Sequence, residues 1–119
     1  MNFSLTEEQS MIQAMARRFS DSELAPVAGE IDKGGGRHLL LAHLGKLADL
    51  GFMGLAVNGE FGGSEAGAVA FSLALTQIAR GCASTAVTMS VTNMVAEVIQ
   101  AIGSDEQKQT YLPRLCSGE

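Results

Sequence analysis

The sequence predicts an all-α domain, a helical bundle of about five or six helices, and three observations carry that expectation. Apolar residues recur at helical spacing along most of the 119-residue chain. A Ser/Thr-x-x-Gln pattern, which supplies reciprocal hydrogen bonds at a helix start, stands at Thr6–Gln9 and again at Ser104–Gln107. Glycines separate the apolar segments, and no alternation of apolar and polar residues runs long enough to require a strand.

From the Thr6 cap, Ile12, Met15, Ala16 and Phe19 make one apolar stripe, with Arg17, Arg18 and Asp21 mostly off it. Pro26 ends or kinks this helix near Leu24, because proline lacks an amide and disfavours a helical residue before it. A short helical stretch then resumes through Ile31. Lys33-Gly34-Gly35-Gly36 is too costly in backbone entropy for a helix and reads as a solvated loop. Leu40, Leu41, Leu44, Leu47 and Ala48 mark the next helix, capped at Gly51. Asn58-Gly59 and Gly62-Gly63 punctuate a turn-rich connection, in which Phe52–Val57 is the one segment that could be extended. Helix returns from about Glu65 to Arg80. The stretch from Ser84 to Ile102, bracketed by Gly81 and Gly103, is expected to be the longest and most buried helix. The second cap at Ser104 opens a last helix through Tyr111 and Leu115.

A chain with 46% hydrophobic residues can bury a core as one domain, residues 1–119, without disulfides or a metal. The net charge of -5 and scattered Lys and Arg provide no basic field for a phosphate backbone, so no nucleic-acid partner is expected. Cys82 and Cys116 form no C-x-x-C pair and read as free thiols in a reducing cytosol. Met1 to Glu8 turns acidic where a signal peptide would be basic and then apolar, so a cytoplasmic location is expected. The segment from Ala83 to Ile102 has the length of a membrane span. Ser84, Thr85, Thr88, Ser90, Thr92, Asn93, Glu97 and Gln100 interrupt it, and it reads instead as a buried helix of a soluble bundle, with no membrane span.

Isolated residues point to little chemistry. His38 and His43 lie five apart and diverge on a helix, so no metal site is expected. There is no G-x-S-x-G elbow, and Gly34–Gly36 lack the spacing of a dinucleotide loop. Glu97, the one carboxylate within the long apolar helix, could acquire a raised pKa suited to proton transfer; more often such a residue reaches solvent or pairs with a neighbour.

Longer stretches carry more. Leu5-Thr6-Glu7-Glu8-Gln9, Leu24-Ala25-Pro26 and Glu30-Ile31-Asp32 are followed by Leu44-Gly45-Lys46-Leu47-Ala48-Asp49-Leu50-Gly51-Phe52-Met53-Gly54-Leu55 and Phe61-Gly62-Gly63. Ile78-Ala79-Arg80-Gly81-Cys82-Ala83-Ser84-Thr85, Gly103-Ser104-Asp105-Glu106-Gln107-Lys108, Tyr111-Leu112-Pro113 and Ser117-Gly118-Glu119 come after them. In order and spacing these resemble the N-terminal helical domain of the acyl-CoA dehydrogenases over nearly the whole chain. Asn58-Gly59-Glu60 departs from the family's usual proline and acid, and Gly34–Gly36 from its usual proline and aromatic residue.

The resemblance implies a parent FAD-dependent enzyme that oxidises an acyl-CoA thioester to the trans-2-enoyl-CoA and passes electrons to an electron-transfer partner, homo-oligomeric when complete. In that family the catalytic base and most flavin contacts come from a middle β-domain and a C-terminal helical domain beyond the position of Glu119. No catalytic residue and no FAD contact is therefore assigned here, and the isolated chain is expected neither to hold FAD nor to turn over. The family's helix corresponding to Ser84–Ile102 borders the fatty-acyl tail, which makes Val87, Ser90, Val91 and Met94 the acyl-pocket candidates. They share one face of a helix and would serve equally well as ordinary bundle core. Two other readings stay open: another flavoenzyme on this scaffold (a flavin monooxygenase, an acyl-CoA oxidase or a nitroalkane oxidase), or a free-standing helical interaction module. A large exposed apolar patch would favour a missing partner domain, and a fully polar surface the module.

Overall fold

The computed structural model describes all residues, 1–119. It contains six α-helices and no strand: α1 (Glu7–Phe19), α2 (Ala28–Asp32), α3 (Arg37–Asp49), α4 (Gly67–Gly81), α5 (Ala83–Ile102) and α6 (Asp105–Ser117). α1 packs on α4, α4 on α5 and α5 on α6, giving a flat slab with principal extents of 40 × 38 × 18 Å. The expected all-α bundle is what forms.

Both capping boxes are made. Thr6 Oγ1 accepts from the Gln9 amide at 3.1 Å while Gln9 Oε1 accepts from the Thr6 amide at 3.0 Å. Ser104 and Gln107 repeat the exchange at 3.2 and 2.9 Å. Each box satisfies two amides that a bare helix end would leave without partners. Glu7 and Glu8 at the start of α1, and Arg17 and Arg18 at its end, also complement its dipole. The α1 stripe faces inward as expected, with Ile12, Ala16 and Phe19 buried.

Beyond Phe19 the chain widens into a π-helical turn over Ser20–Leu24, tightens to a 3-10 turn over Ala25–Val27 carrying Pro26, and resumes as α2. Ser20 is wholly buried, lying so close to Gly81 that any side chain at 81 would collide with Ser20 Oγ. Gly36, expected to be solvated, is buried against Ile31, whose backbone leaves no space for a Cβ. α6 tolerates Pro113 on an exposed position, where the carbonyl that loses its amide partner can turn to water.

Two further expectations are corrected. Phe52–Val57 is not extended but runs through turns, its backbone closed locally by Phe52 N to Leu47 O (2.9 Å) and Val57 N to Gly54 O (3.3 Å) rather than paired with a neighbouring strand. α4 begins at Gly67 rather than Glu65, since Glu65 (φ 51°) and Gly67 (φ 82°) both lie in the left-handed region and cannot continue a right-handed helix backwards. α5 is the longest helix, at 20 residues, and as expected it contributes more buried residues than any other, but only on one side. Thr85, Ala86, Met89, Asn93 and Ala96 face the bundle, while much of the opposite side is open.

The connection between α3 and α4 closes the slab. After Gly51 (φ 81°) ends α3, its two limbs are laced by Ser64 N to Gly54 O (3.0 Å), Glu65 N to Val57 O (3.1 Å) and Ala66 N to Leu55 O (2.7 Å). Phe52, Met53 and Leu55 enter the main core with Leu24, Leu47, Ala74 and Ile78. Val57 joins a second cluster with Ala96, Leu112 and Cys116 beneath α6.

Candidate functional site

The sequence-derived candidates lie on α5, and the way the helix is built explains why they share a face. Residues 87, 91, 94 and 98 are separated by four, three and four positions, which keeps them within one stripe. Ser90 lies beside that stripe toward α4. The hydroxyls of Thr88 and Thr92 are turned back onto the carbonyls of Ser84 and Thr88, each at 3.0 Å, so their polar atoms are spent within the helix. Glu97 is the single ionisable residue of α5, and it is exposed, as the plainer of its two readings anticipated.

Val87 is 62% exposed, Val91 46% and Met94 58%, and the stripe continues through Val98 at 51% and Ile102 at 83%. These three candidates are therefore outside the buried core of this chain. Ser90 is half-buried and forms one wall of a shallow groove of about 260 Å³ between α4 and α5, lined by Leu75, Ala79, Ala83, Ala86, Val87 and Ser90. Small side chains make the floor, and the serine hydroxyl is the one polar side-chain group. The groove and the stripe form a continuous lipophilic surface, suited to an alkyl chain or to another apolar protein surface.

The same inventory tests a flavin. An isoalloxazine ring presents several nitrogen and oxygen atoms that need hydrogen-bonding partners, and its pyrophosphate needs backbone amides or cations. A surface whose side chains offer one hydroxyl does not fit that group, so no step through a flavin is built on residues of this chain. Nor does any group of three or more His, Cys, Asp and Glu come together to hold a metal.

Elsewhere the ionisable groups are structural. His43, which sequence periodicity did not place in the core, is buried on the inner face of α3, its ring edge-to-face with Phe19 at 6.0 Å. Burial pushes its pKa below the ordinary 6.5, with the Lys46 charge adding to the effect and Glu23 opposing it. Glu23 is held below its usual value by a hydrogen bond from Lys46 Nζ at 2.6 Å and by that ammonium's charge. Burial raises the Cys116 thiol, which suits a core residue rather than a nucleophile.

A more enclosed polar groove of about 340 Å³ lies where the α3–α4 connection meets α5 and α6, with Asn58, Gln100 and Lys108 among its walls. Near it, sequence reading missed two side chains. Asn93, 1% exposed, accepts from the Leu55 amide at 2.9 Å and donates to Phe52 O at 2.8 Å and Met89 O at 2.9 Å. Gln100 accepts from the Asn58 amide at 2.7 Å and donates to Ala56 O at 3.3 Å. The signal available in the sequence was a pair of carboxamides seven apart in an otherwise apolar helix.

Fold and site thus define a helical domain that carries a lipophilic wall on its longest helix. Residues 6–119 match the family model for the acyl-CoA dehydrogenase N-terminal domain, and the chain belongs to that family. It is 40% identical over 119 residues to acryloyl-CoA reductase (NADH) of Anaerotignum propionicum, covering 99% of this chain and 29% of that protein. It is 38% identical to the human mitochondrial short-chain specific acyl-CoA dehydrogenase, covering 97% of this chain and 28% of the relative. Butyryl-CoA dehydrogenase from Megasphaera elsdenii superposes with a TM-score of 0.83 at 29% identity, covering 99% of this chain and 31% of that one. The chain spans less than a third of each of these relatives.

Proposed function

We propose that this chain acts as the N-terminal domain of an FAD-dependent acyl-CoA dehydrogenase that oxidises a short acyl-CoA thioester to its trans-2-enoyl-CoA, with α5 forming part of the acyl-tail pocket. The observation that carries the reading is the uncovered stripe Val87–Val91–Met94–Val98 beside the groove at Ser90. A folded domain that leaves this much of its longest helix apolar and open needs a cover. That argues for further domains and a ligand tail, and against the free-standing helical module. The short-chain preference is drawn from the human and Megasphaera relatives.

In this reading FAD supplies the redox chemistry, bound by parts of the enzyme other than this chain, and an electron-transfer partner takes the electrons onward. The residues here do the binding work: Val87, Val91 and Met94 remove alkyl groups from water, and Ser90 sets the depth available beside α4. No proton-moving group is assigned to this chain. The cytoplasm is the proposed location. α5 is long and apolar enough to cross a membrane by length and composition, with a mean hydropathy of 1.2, but its second side is committed to the bundle.

The acryloyl-CoA reductase relative supports a second reading, in which the same pocket serves reduction of a short 2-enoyl-CoA. Assaying the full-length enzyme in both directions, with butyryl-CoA plus an electron acceptor and with a short enoyl-CoA plus NADH, separates the two. Turnover of neither, with FAD bound, would overturn both.

A further inference from the structure

The outer stripe of α5 can act as a wall of defined shape only if the helix is held at one rotation and one axial position. Apolar packing beneath it is poorly suited to that task. Ala86 and Ala96 present smooth surfaces, and Met89 is a flexible thioether that can refill space after a shift. Hydrogen bonds are directional, and here they come from two carboxamides on one side of the helix, Asn93 and Gln100, about two turns or roughly 10 Å apart along its axis.

Each amide grips the irregular connection between α3 and α4 in the same manner. Asn93 accepts from Leu55 N and donates to Phe52 O; Gln100 accepts from Asn58 N and donates to Ala56 O. The third Asn93 bond, to Met89 O, ties its carboxamide to the preceding turn of α5 and fixes its direction. Two attachment points define both rotation and register. Slipping the helix by one residue turns it by about 100° and breaks the four bonds to the connection together. The connection is itself fixed, because its limbs are laced to one another and its side chains enter the core.

We infer that Asn93 and Gln100 are positioning residues for the acyl-tail wall, fixing the orientation of Val87, Ser90, Val91 and Met94 and so the chain length accepted, without touching substrate. The inference rests on the acyl-pocket reading above. In the full-length enzyme carrying this domain, Asn93→Leu and Gln100→Leu are compared with the parent over straight-chain substrates from butyryl-CoA to decanoyl-CoA. Each variant is expected to change the ratio of kcat/KM between neighbouring chain lengths by about fivefold or more, mainly through KM. Gln100→Glu, which keeps the acceptor toward Asn58 but loses the donor to Ala56 O, is expected to fall between the parent and the leucine variant.

Ile12→Ala, a core truncation on α1, serves as the control: it lowers Tm and should leave the ratios unchanged. If Asn93→Leu fails to fold, Gln100→Leu decides alone. A lowered Tm with an unaltered chain-length profile in the leucine variants overturns the positioning role. The pocket reading survives that result if Ser90→Phe shifts the profile, and falls with it if Ser90→Phe does not.

Discussion

The Glu65 carboxylate accepts a hydrogen bond from the Gly59 amide at 2.7 Å while its own backbone sits at φ 51°. It is the one non-glycine residue in the left-handed region, and its side chain closes the loop that its backbone strains. The two contributions separate by substitution. Glu65→Ala keeps the strain and loses the bond, and should destabilise the domain by about 1–2 kcal/mol. Glu65→Gly loses the bond but relieves the strain, and should be the milder change by about 1 kcal/mol. Urea denaturation of both variants checks the order; alanine ranking above glycine would refute it.

Ser90→Phe tests the wall directly. If the groove beside Ser90 takes the end of an acyl chain, filling it excludes terminal methylenes at about 0.8 kcal/mol each, so losing three weakens long substrates by roughly tens-fold and spares short ones. If Ser90 serves only the packing of α5 on α4, overpacking costs on the order of 1–3 kcal/mol of stability and activity falls alike for all lengths. kcat/KM across an acyl-CoA series, read beside a melting curve, distinguishes the two.

Acidification should weaken the domain in two stages. The pKa of His43 is lowered in the fold, so below its ordinary value of 6.5 the unfolded chain binds the proton that the folded chain refuses. Stability present above that pH is lost as pH falls toward the folded pKa, with a slope of at most about 1.4 kcal/mol per pH unit. Glu23, also lowered, begins to contribute a further loss below its ordinary 4.5. His43 Nδ1 has no hydrogen-bond partner, so His43→Phe should preserve the contact with Phe19 and flatten the upper stage alone. Tm measured from pH 7.5 to 4 reads both stages; an unchanged upper stage in the variant would locate the effect elsewhere.

Gly54 faces Cys116 so closely that a Cβ at 54 would overlap the sulfur. Gly54→Ala should therefore cost about 1–3 kcal/mol, and Cys116→Ala, mild on its own, should recover much of that loss in the double variant. A double-mutant cycle in chemical denaturation provides the coupling. Additive losses would mean that the backbone around Gly54, rather than the thiol, resists the methyl group.

What the sequence made legible was what local physics decides. The Thr6 and Ser104 caps, the inward stripe of α1 and the Gly51 stop each depend on residues within a few positions of one another. What it hid depends on distant partners. α5 is apolar on both sides, so periodicity offered no contrast between the face buried on the bundle and the open face at Val91. The packing of Ser20 on Gly81 joins residues sixty-one apart. Asn93 and Gln100 stood in the sequence as interruptions of an apolar run. Their meaning required the carbonyls and amides of residues 52–58 to be in view.

An α5 with two apolar sides separates folding from solubility. The inner side stabilises the slab; the outer side adds little to that stability and much to adhesiveness. A correctly folded molecule would thus present the same signal that quality-control chaperones read as unfolding, until something covers Val91 and Val98. Charged replacements along that stripe would then make the isolated chain better behaved in solution and the assembled protein worse, which sets the evolutionary pressure on α5 by its neighbours rather than by its own fold.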